Sequence, residues 1–348
     1  MPSRVAVTKW QEKDDIASAI IDELHQLGYP SEGFLFNNNL PPNTDILLSF
    51  APHQRLGAVI DRLSTIPVEN RPAFIHWNYE SLPNIRIPWT VLSPMIKSRV
   101  WFDRCLNDRE VGEIDNLVLN SLIKVNRRAV KFRHLGEYQN AYEGGFLHLL
   151  IDISSIYSEF YKNLNIKSEY IPFGTSPNWY SDLNLERDID VLWMGLRRTR
   201  RRSKLLDKLR DQLRYYGIEI LVIDNVENPF MFGEKRIHFL NRAKITLNIL
   251  PTWYDPAFIV RFHLAAGNRS LVVSEPILPH CPAHVAGEHY IQVKISELAK
   301  TIYYYVNNEK DRLRITDNAY QLVTNQMSLQ NSIRQIMESA KAFTNLST

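Results

Sequence analysis

The stretch Asp190-Val-Leu-Trp-Met-Gly-Leu-Arg-Arg-Thr-Arg-Arg-Arg-Ser-Lys204 constrains this chain more than any other. An apolar run ends at a glycine, and five arginines and a lysine follow it. The pattern predicts a buried strand from Asp190 to Met194, a turn at Gly195 and a helix from Arg200 to Tyr216. A parallel strand feeding a helix leaves N–H groups at the turn, and the helix dipole favours an anion there. Cations at a helix start oppose that dipole, so the arrangement costs stability unless an anion joins them. Arginine adds bidentate contacts to phosphate oxygens. Gly195, Arg197, Arg198, Arg201 and Arg202 are therefore expected to hold a diphosphate, the alternative being a solvated basic helix start. Nucleic acid is not expected, because only one patch is this dense and no aromatic platform interleaves with it.

The basic character is local, since the 348 residues carry a net charge of only +3. A hydrophobic fraction of 45% supports real cores, and the length suits two domains. The two cysteines, Cys105 and Cys281, make no disulfide framework, which fits a reducing compartment. The N-terminal residues run into a polar Lys-Trp-Gln-Glu-Lys-Asp-Asp segment without a signal-type apolar core. No apolar run is long enough to span a membrane. The expected location is cytoplasmic, with possible peripheral contact at the inner membrane face. The basic face of Lys124 to His134, beside Val118, Leu122, Ile123 and Val125, suits an anionic surface or simply a solvated helix face.

Short apolar runs alternate with helical patterns, which predicts βαβ units and parallel sheets. In the first half, strands are expected at Arg4–Thr8, Asp45–Phe50, Ala73–Trp77, Leu147–Ile153 and Glu169–Pro172. Helices are expected at Asp15–Leu27, Leu56–Leu63, Gly112–Tyr138 and Ser155–Leu164. Phe173 to Arg187 breaks the alternation with Gly174, Pro177, Asn178, Ser181 and Asp182. Strands then follow at Asp190–Met194, Ile218–Asp224, Ile245–Leu250, Ser270–Ser274 and Tyr290–Val293, and the tail from Ser296 is helical. The expected fold class is α/β. Two Rossmann-like domains, residues 1–174 and 188–348, are joined by a linker, 175–187, and face across a cleft.

Further candidates sit at strand ends of the second half, the edge where open α/β sheets bind ligands. Asn248 lies near the end of one strand, with Trp253 and Tyr254 in the following loop to stack a base or close the core. Ser274 and Glu275 end the next strand, and Glu275 can accept bonds from sugar hydroxyls. Arg261, on the helix between, can hold phosphate or pair with Glu275. Asp255-Pro256 reads as a helix start and Gly267 as the glycine that ends it. Asp188-Ile-Asp190 lies at the start of its strand, away from that edge, so no metal site is expected.

From Arg187 to about Asn325 the chain resembles nucleotide-sugar glycosyltransferases of the GT-B fold, especially the CgeB-like group. The resemblance rests on Met194-Gly195 through Arg202, on Ala243-Lys-Ile-Thr-Leu-Asn-Ile249, and on Arg261-Phe-His-Leu-Ala-Ala-Gly-Asn-Arg-Ser-Leu-Val-Val-Ser-Glu275. Upstream, Phe74-Ile-His-Trp-Asn-Tyr-Glu80, Ser154-Ser-Ile-Tyr-Ser-Glu-Phe-Tyr161 and Ile171-Pro-Phe-Gly174 resemble the group's N-terminal domain. It implies a nucleotide sugar held by the C-terminal domain as donor substrate, no separate cofactor, and an acceptor held by the N-terminal domain. That acceptor is a glycan, a lipid-linked glycan or a small molecule.

Sugar transfer needs positive charge on the leaving diphosphate as the bond breaks, and the arginines can supply it without a metal. An inverting enzyme also needs a base on the acceptor hydroxyl. His76, at a strand end, and Glu80, which matches the family's glutamate in the loop beyond, are the candidates. One departure stands out. Many retaining GT-B enzymes carry two glutamates with seven residues between them; here Asp255 and His263 have that spacing. Counting back from Gly267 instead puts Phe262 in the second place. A catalytically silent nucleotide-sugar-binding protein of the same fold is therefore the alternative.

Overall fold

A computed structural model describes residues 2–50, 56–105, 131–197, 199–254, 259–278 and 281–344. By internal contacts the chain divides into two compact units, Met1–Tyr170 with Ile336–Thr348, and Ile171–Gln335.

Unit 1 is built on a six-stranded parallel sheet in the order β2-β1-β3-β4-β5-β6. Its elements are β1 (Val5–Lys9), α1 (Asp15–Gln26), β2 (Ser31–Leu35), β3 (Ile46–Ser49), α2 (Leu56–Ser64), β4 (Ala73–Asn78) and α3 (Trp89–Cys105). A helix over residues 131–143 (α4) follows, then β5 (Leu147–Asp152), α5 (Ser155–Asn163) and β6 (Ser168–Tyr170). Asp14 caps α1 by accepting the N–H groups of Ile16 and Ala17 at 3.2 and 3.0 Å. Central strands β3 and β4 are buried along their whole length, as parallel strands covered on both faces must be. Phe74, Leu150, Tyr138 and Tyr161 anchor a core that also holds Leu92 and Ile96 of α3.

Two unit 1 elements escape the periodicity rules. Edge strand β2 is half exposed and lacks an apolar run; its Gly33 lets Lys9 and Ile21 pack where a Cβ would lie 2.7–2.8 Å from them. Helix α3 carries Pro94 inside it, a residue that normally breaks helices. Most of the helix expected at Gly112–Tyr138 lies outside the described residues, as does Lys124–Val130 of the basic face. In the described remainder, Lys131 and Arg133 are half-buried and His134 is 6% exposed.

Unit 2 holds a five-stranded parallel sheet in the order β11-β10-β9-β7-β8. Its elements are β7 (Ile189–Met194), α6 (Arg200–Arg214), β8 (Ile220–Ile223), α7 (Gly233–Arg242), β9 (Ala243–Asn248), α8 (Ile259–Gly267), β10 (Leu271–Ser274) and β11 (Ile291–Gln292). Helices α9 (Leu298–Asn307) and α10 (Glu309–Gln321) follow, and α11 (Leu329–Thr344), which begins in unit 2 and ends in unit 1, completes the helical tail. Val191, Trp193, Ile245, Leu247 and Val273 alternate with α6 residues Leu206, Leu209 and Leu213 in the core. Burying each such side chain contributes about 1.5–3 kcal/mol.

The Gly/Pro/Asn-rich segment before β7 is bonded onto unit 2. Asn241 accepts the Leu183 N–H at 3.1 Å and donates to the Ser181 carbonyl at 2.9 Å. Arg187 donates to the carbonyls of Ala243 and Asn268 at 2.6 and 3.1 Å. The acidic pair at the start of β7 is ion-paired, Asp188 with Arg242 and Asp190 with Lys244. Gly267 corrects its expectation. It is the last residue of α8 and faces Tyr180, whose Cβ would lie 3.0 Å from an added methyl. The left-handed position belongs to Arg269, at φ 55°.

Among the described glycines Gly174 has the tightest surroundings, because an added Cβ would lie 2.2 Å from the Ser328 carbonyl oxygen. Thr175 pairs with Ser328 in a parallel bridge there, so neither backbone can yield cheaply. Gly174→Ala should destabilise unit 2 by about 1–3 kcal/mol, lowering its unfolding midpoint by roughly 2–4 °C per kcal/mol. An unchanged midpoint by calorimetry would contradict this packing.

Candidate functional site

The carboxyl ends of β7, β9 and β10 build one polar cage within unit 2. Asn248 and Ser274 are the last residues of neighbouring strands and sit opposite each other in the ladder. Both are fully buried, and Glu275 is 2% exposed. Asn248 Nδ2 donates to Ser274 Oγ at 2.8 Å, and that hydroxyl donates to the Glu275 carbonyl at 2.7 Å. The Glu275 carboxylate accepts the Leu250 N–H at 2.8 Å and takes both prongs of the Arg201 guanidinium. Arg201 also donates to the Leu250 carbonyl at 2.9 Å. From α8, Arg261 donates to Asn248 Oδ1 and to the Met194 carbonyl, the latter at 3.2 Å. Buried polar groups persist only when satisfied in this way.

Gly195 and Thr199 shape the mouth of this cage. Gly195 has φ +146°, and a Cβ there would lie 3.0 Å from Arg261 Nη2, so the turn needs glycine for Arg261 to lie against it. Thr199 caps α6, accepting the Arg202 N–H at 3.2 Å and donating to the Pro251 carbonyl at 2.8 Å. Such a cap contributes about 1 kcal/mol, and here it also ties the helix start to the loop after β9. The first turn of α6 contains no acidic residue. Glu275 is the carboxylate that offsets Arg201 at this helix start, and it comes from another strand.

The arginine cluster divides. Arg201 and Arg261 belong to the cage. Arg197 departs from its expectation: three carboxylates take its guanidinium, Asp224 at 2.8 Å, Asp207 at 2.6 Å and Glu227 at 2.5 Å. Its guanidinium is therefore turned to these three carboxylates and is not part of the cage. Arg202 departs too, being 4% exposed, bonded to the Leu196 carbonyl at 2.8 Å and 6.0 Å from the centre of the Trp193 ring. It packs beneath the turn. Arg198 and Asp255 lie outside the described residues. Tyr254 is half-buried and meets Trp253 edge-on at 5.4 Å.

Phe262 and His263 of α8 sit in a packed cluster. Phe262 is fully buried with its ring 4.4 Å from that of His284. His263 is 1% exposed, and its two ring nitrogens lie 2.9 Å from Thr175 Oγ1 and 3.3 Å from His284 Nε2. Burial lowers its pKa to about 3.

Unit 1 has its own polar strand ends. Asn78 ends β4 and Asp152 ends β5, opposite each other in the ladder. His76 lies inside β4 rather than at its end, 1% exposed, its ring 5.1 Å from that of Tyr138. Burial lowers its pKa to about 3, so it stays neutral and is a poor proton acceptor. Glu80 is half-buried in the loop beyond, with its N–H bonded to Asn78 Oδ1 at 2.9 Å. Asp152 is pushed up to about 8 by burial, against the lowering effect of bonds from Ser154, Asn78 and Tyr161. Sequence reasoning missed Asn78 and Asp152, although each closes an apolar run, Phe74-Ile-His-Trp-Asn78 and Leu147-His-Leu-Leu-Ile-Asp152. Among the described residues no cluster of three His, Cys, Asp or Glu side chains could hold a metal ion. No described helix is long and apolar enough to cross a membrane.

No protein-family model matches the chain, and no curated protein matches it in sequence. Solved structures match nearly its whole length. HepE of Anabaena in complex with UDP is 11% identical with a TM-score of 0.55, covering 99% of this chain and 100% of HepE. The sucrose-phosphate synthase of Thermosynechococcus elongatus is 10% identical with a TM-score of 0.57, covering 98% of each chain. AviGT4, a glycosyltransferase involved in avilamycin A biosynthesis, is 12% identical with a TM-score of 0.55, covering 99% of this chain and 98% of its own. The fold is that of the GT-B glycosyltransferases: two parallel-sheet α/β units with a helical C-terminal tail.

The buried histidines carry a pH signature. His263 titrates near 6.5 when unfolded and about 3 when folded, so the folded state binds fewer protons in that window. Its stabilising contribution is full above about 6.5 and is lost as pH falls toward 3. Asp152 acts oppositely, its contribution being lost as pH rises through about 8. The expected result is that His263→Gln narrows the gap between unfolding midpoints at pH 7 and pH 4.5. An identical gap in variant and wild type would show that His263 is not held neutral.

Proposed function

We propose that the protein is a glycosyltransferase that moves a sugar from a nucleoside diphosphate donor, with UDP as the nucleotide, to an acceptor. The observation that carries this is the cage at the carboxyl edge of the unit 2 sheet, where Arg201 and Arg261 meet the capped start of α6. Strand ends of this kind hold ligands in open α/β sheets, and a helix start with arginines favours phosphate. The GT-B fold supports the assignment. HepE was solved with UDP and with UDP-glucose, and TarM with UDP.

In this proposal Arg261, beside Gly195, and Arg201 offset the charge that develops on the leaving diphosphate, without requiring a metal. Glu275 orients Arg201 and accepts a sugar or ribose hydroxyl, while Asn248 and Ser274 fix Arg261 and Glu275. Tyr254 offers a face for the base. Glu80 deprotonates the acceptor hydroxyl, a role its loop position suits better than the packed, neutral His76. The packed Phe262–His263–His284 cluster favours a second possibility, a protein that binds the nucleotide sugar without turnover.

A thermal-shift series with UDP, GDP, dTDP, ADP and their sugars tests the donor. Saturation at one hundred times Kd stabilises by about 2.7 kcal/mol. Arg261→Ala and Arg201→Ala should each weaken UDP binding by about 10- to 100-fold, the worth of one or two charge-assisted bonds. Undiminished shifts in both variants would remove the cage from donor binding. Tight UDP-glucose binding without release of UDP, whatever acceptor is supplied, would favour the silent binding protein.

A further inference from the structure

Asn78 is held on several sides and itself holds Glu80. Its Oδ1 accepts the Glu80 N–H at 2.9 Å and the Tyr138 hydroxyl at 3.1 Å. Its Nδ2, with two hydrogens, donates to Asp152 Oδ2 at 2.5 Å and to the Tyr161 hydroxyl at 3.1 Å, and the Glu80 carbonyl lies 3.4 Å away. Asp152 is fixed in turn, its other oxygen accepting the Ser154 N–H at 2.7 Å. The partners come from the loop after β4 and from three elements, α4, β5 and α5. A backbone N–H can only donate, so the Glu80 amide decides which end of Asn78 faces it. Asn78 and Asp152 are 0% and 1% exposed. A buried network of this size is unfavourable unless every member is satisfied, and packing alone would be served by apolar residues at these strand ends.

We infer that Asn78, oriented by Asp152, Tyr138 and Tyr161, is a positioning residue that fixes where the Glu80 side chain leaves the end of β4. This rests on Glu80 as the base on the acceptor. A base must lie within hydrogen-bond reach of the proton it takes, and a misplacement of about 1 Å can lower a rate roughly 100-fold. The Asn78 amide bonds the Glu80 N–H at 2.9 Å, two residues on, and so constrains the backbone from which the Glu80 side chain leaves.

Two variants probe the network without emptying it. In Asp152→Asn one of the two accepting oxygens becomes an NH2 donor, which faces either the Ser154 N–H or the Asn78 amide, so one contact is lost. Tyr138→Phe removes one hydroxyl and keeps the ring, which preserves the fold. The first readout is hydrogen exchange at the Glu80 amide, which needs no substrate. Protection in the wild type, with about 10-fold faster exchange in both variants, is expected from a lost hydrogen bond worth about 1.4 kcal/mol. Free exchange in the wild type, or unchanged exchange in both variants, overturns the inference.

The second readout is steady-state kinetics with UDP-glucose as donor. Each variant should lower kcat about 10-fold, with the donor KM within about twofold, because donor groups are untouched. In a Glu80→Gln background neither should lower kcat further. Losses that multiply with Glu80→Gln would mark separate structural damage and sink the positioning role while leaving Glu80 as base. Full kcat in Glu80→Gln alone would remove the base, and this inference with it.

Discussion

The forked bond between Arg201 and Glu275 is the constraint on which the edge of the second sheet depends. It joins the first turn of α6 to the end of β10, and through Leu250 to the loop after β9. A carboxylate 2% exposed is tolerable only because an arginine and a backbone N–H satisfy it. The arginine is tolerable at a helix start only because a carboxylate faces it. Each removes the other's penalty, and together they hold a cationic mouth that would otherwise repel itself. Asn248 and Ser274 extend the bond to Arg261, so hydrogen bonds tie three strand ends to two helices.

Unit 1 solves the same problem with neutral groups. Asn78 and Asp152 close neighbouring strands, and tyrosines from α4 and α5 complete their hydrogen bonds. Burial raises the Asp152 carboxyl and lowers His76. Both shifts reduce charge in the interior, and the interior of unit 1 beneath Glu80 therefore favours uncharged groups. Unit 2 instead presents paired charges at its strand ends, Arg201 with Glu275 above all.

Much of the fold was legible because parallel strands are short, apolar and separated by amphipathic helices. Asp45–Phe50, Ala73–Trp77 and Asp190–Met194 fall within a residue or two of the observed strands. The strand β2 was hidden because an edge strand need not be apolar, and α3 because Pro94 breaks its pattern. Of the candidate residues, Arg201, Asn248, Arg261, Ser274 and Glu275 were legible as positions along strands and helices, and the structure joins these five by hydrogen bonds. Their grouping was not, because sequence spacing says nothing about which arginine faces which carboxylate. Arg197 and Arg202 stand on either side of Arg201 in the same basic run, yet one is bound by three carboxylates and the other is packed under the turn. The Asn78–Asp152 contact joins residues 74 apart, a distance only the sheet register closes.

The most direct measurement is calorimetric titration of the protein with uridine, UMP and UDP under one salt condition. If the cage holds the diphosphate, UDP binds at least about 100-fold more tightly than uridine, equivalent to roughly 2.7 kcal/mol from the phosphates. Arg261→Ala should abolish most of that gap while leaving uridine affinity unchanged. Equal affinities for uridine and UDP, or a gap that survives loss of Arg261, would contradict a phosphate site at this sheet edge.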